Sequence, residues 1–244
     1  MAYKNLFNEE QKQREELNVK VDLHLGDCIN ILKSMPSSSI DLVVTDPPYE
    51  ISVAHDQGET AKKKGLTFYE DLVGIDSGFD ETVLDELVRL MKKINIYIFC
   101  SIKQVPKLID YFVNQRNCLF NILCWHKTNV NPLCNGTYMK DTEYCLYFRE
   151  QGVKINGDYK TKATYYLSTM NTEDKEKFKH PCVKPLQFIK RMVYNSSEEG
   201  QTVLDPYMGS GTTGVASVSQ KRNFIGIEIN EDYYKTAEER IYGI

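Results

Sequence analysis

The chain has 244 residues, 41% of them hydrophobic and 26% charged, with a formal net charge of −4. That size and apolar content suit one large α/β domain that buries a real core. No apolar run approaches the roughly 18 residues of a membrane span, residues 1–16 are too polar for a signal peptide, and the overall charge does not by itself mark a nucleic-acid binder.

Residues 1–17 read as a polar helix or a frayed arm. Residues 19–25 alternate apolar and polar side chains, the pattern of a half-buried edge strand, and Gly26-Asp27 ends it. Residues 28–35 predict a short helix with Ile29, Leu32 and Met35 at helical spacing. The apolar run at 42–44 reads as a buried parallel strand. Residues 51–80 hold glycines, charges and few apolar side chains, and read as a long loop. An amphipathic helix follows over 81–93, with Leu84, Leu87, Val88 and Met91 on one face. Then come a strand over 95–100 and a helix over 104–115, the latter with Val105, Leu108, Ile109 and Phe112 inward. Strands over 120–125 and 144–148 flank a loop rich in Asn, Pro and Gly. Residues 151–179 are polar and fit no clear period. A helix over 185–194 carries proline in its first turn. A strand over 202–204, a helix over 212–220 and a strand over 224–229 follow. Asn230 then caps a last helix over 231–242. This alternation predicts an α/β fold with a mostly parallel sheet and helices on both faces. No internal repeat is present.

The seven cysteines (28, 100, 118, 124, 134, 145 and 182) show no paired spacing and several fall in strand-like runs. They read as reduced, partly buried thiols of a cytoplasmic protein. Cys124-Trp125-His126 and His180-Pro181-Cys182 each offer two metal-ligand types, but no second pair stands at ligand spacing, so no metal site is expected. Charge is uneven. Residues 151–195 carry a net +5, and Lys62, Lys63 and Lys64 form a second basic spot. Such patches serve phosphate contacts or simply a solvated face.

The most informative residues are Asp46-Pro47-Pro48-Tyr49. Two prolines stop the strand, which puts Asp46 and Tyr49 in a stiff turn at its carboxyl end. Open α/β sheets bind ligands at that edge. A carboxylate, backbone carbonyls outside any ladder and a flat ring suit a planar base with an exocyclic amino group. Asp46 and the Pro47 carbonyl would accept its two N–H bonds while Tyr49 stacks on its face.

Residues 202–214 read as strand, turn and helix, with G-x-G-x-x-G at Gly209, Gly211 and Gly214. Glu228 stands nineteen residues past Gly209, at the end of the next strand. Glycines permit close backbone approach to a nucleotide, and the acid suits ribose hydroxyls. Only one further strand fits after this unit, so the remaining strands must come from the N-terminal part and the two halves stand in reversed order. Asp205 precedes the glycines, which disfavours a pyrophosphate. An ammonium or sulfonium ligand tolerates that carboxylate, and S-adenosylmethionine carries both groups.

From about Val21 to Tyr242 the chain resembles the β-class S-adenosylmethionine-dependent amino-methyltransferases of DNA. Asp46-Pro47-Pro48-Tyr49 matches the catalytic motif of that family. Asp205-Pro206-Tyr207-Met208-Gly209-Ser210-Gly211-Thr212 matches its cofactor loop, with Tyr207 in place of the commoner Phe. Glu228 matches the ribose-binding acid, and Asp27, after Gly26, the acid that reads the cofactor's adenine amino group. His180-Pro181-Cys182-Val183-Lys184-Pro185 looks like the segment whose helix packs beside the cofactor. Trp125-His126-Lys127-Thr128-Asn129 and Glu143-Tyr144 look like its segment near the flipped base.

The resemblance implies one doubly wound, mostly parallel, seven-stranded Rossmann-like methyltransferase domain over 1–244, with circularly permuted motif order. It implies a short target-recognition insert over 151–179. It implies transfer of methyl from S-adenosylmethionine to adenine N6 in double-stranded DNA, since members with Asp at position 46 mostly act on adenine and those with Ser there on cytosine N4. Asp46, Pro47, Pro48 and Tyr49 are then the catalytic set. Asp27, Lys184, Asp205, Tyr207, Gly209, Ser210, Gly211, Thr212 and Glu228 bind the cofactor. Lys184 has a second reading against DNA phosphate. An insert this short suits a short site, loose specificity or a homodimer that extends the footprint. A cognate restriction endonuclease is a further partner open to this class. A cytosine-N4 enzyme, an RNA or protein methyltransferase, and a non-catalytic DNA-binding subunit stay open beside the adenine reading.

Overall fold

The computed structural model describes residues 19–49, 81–130, 136, 138–170, 177–178 and 183–243. The expected N-terminal arm, the 51–80 loop with Lys62, Lys63 and Lys64, and the residues His180, Pro181 and Cys182 lie outside that set, as do 131–135 and 137 in the Asn/Pro/Gly loop.

Leu42–Thr45 (β2) and Asn95–Cys100 (β3) are buried at every position, as expected of strands covered on both faces. The other strands are Val21–Leu25 (β1), Leu119–Lys127 (β4), Thr142–Arg149 (β5), Tyr165–Ser168 (β6), Thr202–Asp205 (β7) and Asn223–Glu228 (β8). They form one sheet in the order β1-β8-β7-β2-β3-β5-β4-β6. Only β5 runs against the rest. Side chains divide between the faces with the strand period. Val43, Ile96, Ile98, Leu146 and Leu204 pack on one side, with α1 (Cys28–Ser34), α2 (Thr82–Leu90) and α3 (Val105–Ile109). Leu42, Val44, Tyr97, Phe99 and Val203 pack on the other, with α4 (Leu186–Ser196), α5 (Thr212–Val218) and α6 (Glu231–Tyr242). The sheet is thus doubly wound, as the alternation predicts.

The chain steps outward from β2 to β3 on one side and from β7 to β8 on the other, while β2 and β7 pair with each other in parallel. This is a topological switch point, where such sheets open a crevice at their carboxyl ends. Both sequence motifs follow these two central strands.

Two expectations need correction. Among the described residues the sheet has eight strands rather than seven. The eighth, β6, comes from the polar 151–179 segment and pairs in parallel with β4. Four residues are too few to show a period. Distant groups hold them: Trp125 Nε1 donates to Ser168 Oγ at 2.8 Å, and Tyr166 stacks on Phe188 of α4 at 5.3 Å. Arg191 of α4 donates to the carbonyls of Thr161, Ala163 and Tyr165. The second correction concerns the helix expected over 104–115. It is α-helical only over Val105–Ile109 and then widens into a π turn over Asp110–Asn114. The Asp110 carboxylate accepts from Asn114 Nδ2 and Gln115 Nε2 at 2.9 and 2.8 Å, which closes the wider turn.

Candidate active site

The carboxyl ends of the parallel strands and the amino end of antiparallel β5 meet along one edge. This direction reversal brings Glu143, the second residue of β5, beside the turn that follows β2. Thr45 is buried at the end of β2 and Asp46 follows it. Gln104 braces the turn: its Nε2 donates to the Pro48 carbonyl at 3.2 Å, while its Oε1 accepts from the Ser101 N–H at 2.9 Å. The Pro48 carbonyl is thereby occupied.

Lys184, 7% exposed, reaches this turn from the segment before α4. Its ammonium contacts Asp46 Oδ2 closely and lies 3.2 Å from Glu143 Oε2. Lys127, at the end of β4, contacts the other Glu143 oxygen at 2.5 Å. Four charges therefore alternate in sign from Lys127 through Glu143 and Lys184 to Asp46. Burial raises the Asp46 carboxyl above its usual range, with Lys184 opposing and Glu143 adding to the rise. Burial also works against Glu143, but Lys184 and Lys127 more than offset it and hold this carboxyl at about 2. The Tyr49 hydroxyl is pushed well above its ordinary value by burial and then by the Asp46 charge, so it stays un-ionised.

Buried side-chain polar atoms without an aligned hydrogen bond gather here. Thr45 Oγ1, Asp46 Oδ1, Tyr49 Oη and Glu143 Oε2 are four of the six found among the described residues, the last meeting Lys184 within ion-pair range but without hydrogen-bond alignment. Native structures leave few such atoms, so their concentration at one strand end marks a place for a polar ligand.

The second half of the site follows β7. Asp205 is 3% exposed, and its Oδ1 accepts from the Tyr207 N–H at 3.2 Å. Burial lifts its carboxyl to about 7, against the pull of the Thr213 hydroxyl and the Tyr207 N–H. Gly211 has φ +82°, and a Cβ there would stand 2.9 Å from the Ala237 Cβ. A Cβ on Gly214 would come within 2.3 Å of Ile241. The first of these two glycines permits the turn and both permit the close packing of α6.

Glu228 ends β8. One of its carboxylate oxygens accepts from the Gly209 N–H at 2.9 Å and the other from the Asn230 N–H at 2.8 Å. Its own carbonyl accepts from the Gly26 N–H at 2.9 Å. Asp27 then caps α1 through Asn30 N at 3.0 Å. The structure thus gathers Asp27, Gly209 and Glu228 on three neighbouring strand ends, beside Asp205 and Tyr207.

Three expected site residues have different company from that foreseen. Lys184 is seated against Asp46 and Glu143. The Ser210 and Thr212 hydroxyls are approached by Arg240 of α6, whose Nη1 lies 2.8 and 3.4 Å from them. Gln104 and Arg240 escaped the sequence reading. So did the charge role of Glu143, although a carboxylate at the start of an apolar strand is a signal.

The doubly wound sheet thus carries a glycine loop after one central strand and an acidic proline turn after its parallel neighbour. The family follows from direct comparison. The DNA methylase family of N6/N4 type matches residues 40–239, and the chain belongs to that family. It is 29% identical over 243 residues to the type II methyltransferase M.HinfI of Haemophilus influenzae, covering 88% of this chain and 67% of that one. The crystal structure of the M1.HpyAVI–SAM complex superposes with a TM-score of 0.65 at 25% identity, covering 91% of this chain and 98% of the other. The cytosine-N4-specific PvuII DNA methyltransferase, 16% identical with a TM-score of 0.66 over 91% of this chain and 86% of that one, shares the fold. Among the described residues no helix is long and apolar enough to cross a membrane.

Proposed function

We propose that the protein transfers a methyl group from S-adenosylmethionine to the N6 amino group of an adenine turned out of double-stranded DNA. The observation that carries this reading is the buried Asp46 carboxylate at the end of β2, whose Oδ1 has no aligned hydrogen bond, one strand away from the glycine loop after β7. The cofactor, when bound, supplies an electrophilic methyl on a sulfonium.

The cofactor's residues lie along the β1, β8 and β7 ends. Glu228 has lone pairs beyond those given to Gly209 and Asn230, and these suit ribose hydroxyls. Asp27 keeps acceptor capacity for an amino group. Asp205 offers a carboxylate to the ammonium end. Tyr207 and Gly209 shape the loop between them. Ser210, Gly211 and Thr212 hold that loop against α6, the two hydroxyls through Arg240. The fit is chemical: buried acids whose charge burial opposes gain from a cationic ligand.

An amino group inside a duplex is out of reach, so the base must flip. Asp46 and the Pro47 carbonyl then accept its two N–H bonds. The Pro48 carbonyl, held by Gln104, is not the acceptor. Tyr49 lies against the face of the base. These acceptors draw the nitrogen lone pair out of conjugation and aim it at the methyl group. Transfer leaves the nitrogen one proton in excess, and burial makes Asp46 a better proton acceptor than an exposed carboxylate. Positioning and fixed charge supply most of the acceleration.

The 151–179 segment, with β6 and its lysines, is assigned to target recognition. A homodimer and a cognate restriction endonuclease fit this reading as partners. The deciding experiment is methyl transfer from tritiated S-adenosylmethionine to unmethylated DNA, with nucleoside mass spectrometry. N6-methyladenine is the expected product. N4-methylcytosine would correct the base, and absence of transfer despite cofactor binding would overturn the catalytic reading.

A further inference from the structure

Lys184 Nζ stands where it has a choice of carboxylates. Asp46 Oδ2 lies on one side, and Glu143 Oε2 on the other at 3.2 Å. The second contact is within ion-pair range but is not aligned as a hydrogen bond, so Glu143 Oε2 retains accepting capacity. Glu143 itself is fixed from behind by Lys127 at 2.5 Å. The stem of Lys184 is buried to 7% exposure, which confines the ammonium to this neighbourhood.

The proposed reaction places a target amino group against Asp46. Its nitrogen becomes positively charged as the methyl arrives. An ammonium resting on the other oxygen of the same carboxylate weakens it as an acceptor and repels the developing charge. It cannot escape to water at little cost from so buried a position. We propose that Glu143 is a positioning residue that receives the Lys184 ammonium when the target amino group binds the Asp46 carboxylate. Lys184 thus holds Asp46 paired in the free enzyme and yields it to substrate by a short swing between two oxygens. The Lys127 contact keeps Glu143 anionic and fixed for that purpose. This inference rests on the reading of Asp46 as acceptor of the target amino group.

The test compares Glu143→Gln, Lys184→Met and the double variant with the wild type and with Asp46→Ala. The measurements are single-turnover rate on saturating DNA and S-adenosylmethionine affinity by calorimetry. Glu143→Gln removes the alternative seat and leaves Lys184 on Asp46. The rate is expected to fall about 30-fold or more with cofactor affinity unchanged. Adding Lys184→Met removes the competing ammonium and is expected to recover about ten-fold of that loss. A purely structural role for Glu143 predicts no such rescue. A rate for Glu143→Gln within about three-fold of wild type, or a double variant no faster than Glu143→Gln, overturns the inference. Should Glu143→Gln fail to fold, Glu143→Asp retains the charge one methylene farther away. An intermediate rate then supports the inference, and a wild-type rate overturns it. If Asp46→Ala keeps turnover, the underlying reading fails and the inference with it. If Asp46→Ala is inactive while Glu143→Gln is normal, the inference alone fails.

Discussion

The carboxylate of Glu228, at the end of β8, accepts the backbone N–H of Gly209 at 2.9 Å, in the loop that follows β7. On the proposed reading one acid serves two purposes: it fixes the first glycine of the cofactor loop and presents its remaining lone pairs to the ribose. Glu228→Gln removes the charge and sets an amide against the loop. Hydrogen bonds to charged groups contribute about 1.5–3 kcal/mol, so cofactor affinity is expected to fall about 10- to 100-fold. Turnover at saturating cofactor should stay close to wild type. Calorimetry and saturation kinetics read the two quantities separately. Loss of turnover with unchanged affinity would assign Glu228 to the chemistry instead.

If Asp205 faces the cofactor as proposed, binding is expected to depend on pH. Burial raises its carboxyl from 3.8 to about 7 in the free protein. A cationic ligand beside it stabilises the charged form and lowers that value, so binding below about 7 must expel a proton. Affinity is therefore expected to rise with pH up to about 7 and to level off above it. Proton release, measured by calorimetry in buffers of different ionisation enthalpy, should shrink toward zero over the same range. The unliganded fold responds in the opposite sense. Its Asp205 binds a proton between about 4 and about 7 where the unfolded chain does not, so its contribution to stability declines as pH rises through that window. An affinity flat from pH 5.5 to 8 would remove Asp205 from the cofactor's surroundings.

Gln104 couples the end of β3 to the proline turn. It donates to the Pro48 carbonyl at 3.2 Å and accepts from Ser101. Gln104→Ala leaves a partly buried carbonyl unpaired and frees the turn. The expected effect is a kcat about ten-fold lower, since small misplacements of reacting groups are costly, with cofactor affinity unchanged. Stability should drop by about 1–3 kcal/mol. Steady-state kinetics at saturating DNA, beside a thermal melt, checks both. An unchanged kcat in a destabilised protein would reduce Gln104 to a structural role.

The parts of the site that sequence made legible share a physical reason. β2 and β7 are covered on both faces, so each appears as an unbroken apolar run that ends at a motif. Gly211 and Gly214 are demanded by backbone conformation and close packing, and the spacing of the motif carries that demand. Illegible parts depend on contacts far along the chain. β6 is only four residues long and is secured by Trp125 and Arg191. The position of Glu143 depends on β5 running antiparallel, because only then does the start of that strand reach the carboxyl edge. Ser210 and Thr212 match cofactor positions by motif, yet Arg240 from the last helix takes up their hydroxyls. Lys184 likewise belongs by motif to the segment beside the cofactor, while the path of the chain before α4 delivers its ammonium to Asp46.

Arg191 offers a test that separates the proposed recognition segment from the proposed catalytic residues. Its guanidinium spans the carbonyls of Thr161, Ala163 and Tyr165, and it lies 5.9 Å from the ring centroids of both Tyr166 and Phe188. The group ties the segment proposed for recognition to α4. Burial lowers the guanidinium pKa from its ordinary value, so part of its solvation has been exchanged for these three acceptors. Arg191→Ala strands the acceptors and loosens the approach to β6. Lysine supplies charge but not the planar fork, so Arg191→Lys should recover little. Cofactor affinity is expected to match wild type. KM for DNA should rise about ten-fold, and discrimination between target and non-target sequences should narrow. Methylation kinetics on two DNA sequences that differ at one target position, with calorimetry for the cofactor, would show this split. Equal losses in both affinities would mean that Arg191 supports the whole sheet rather than the recognition segment.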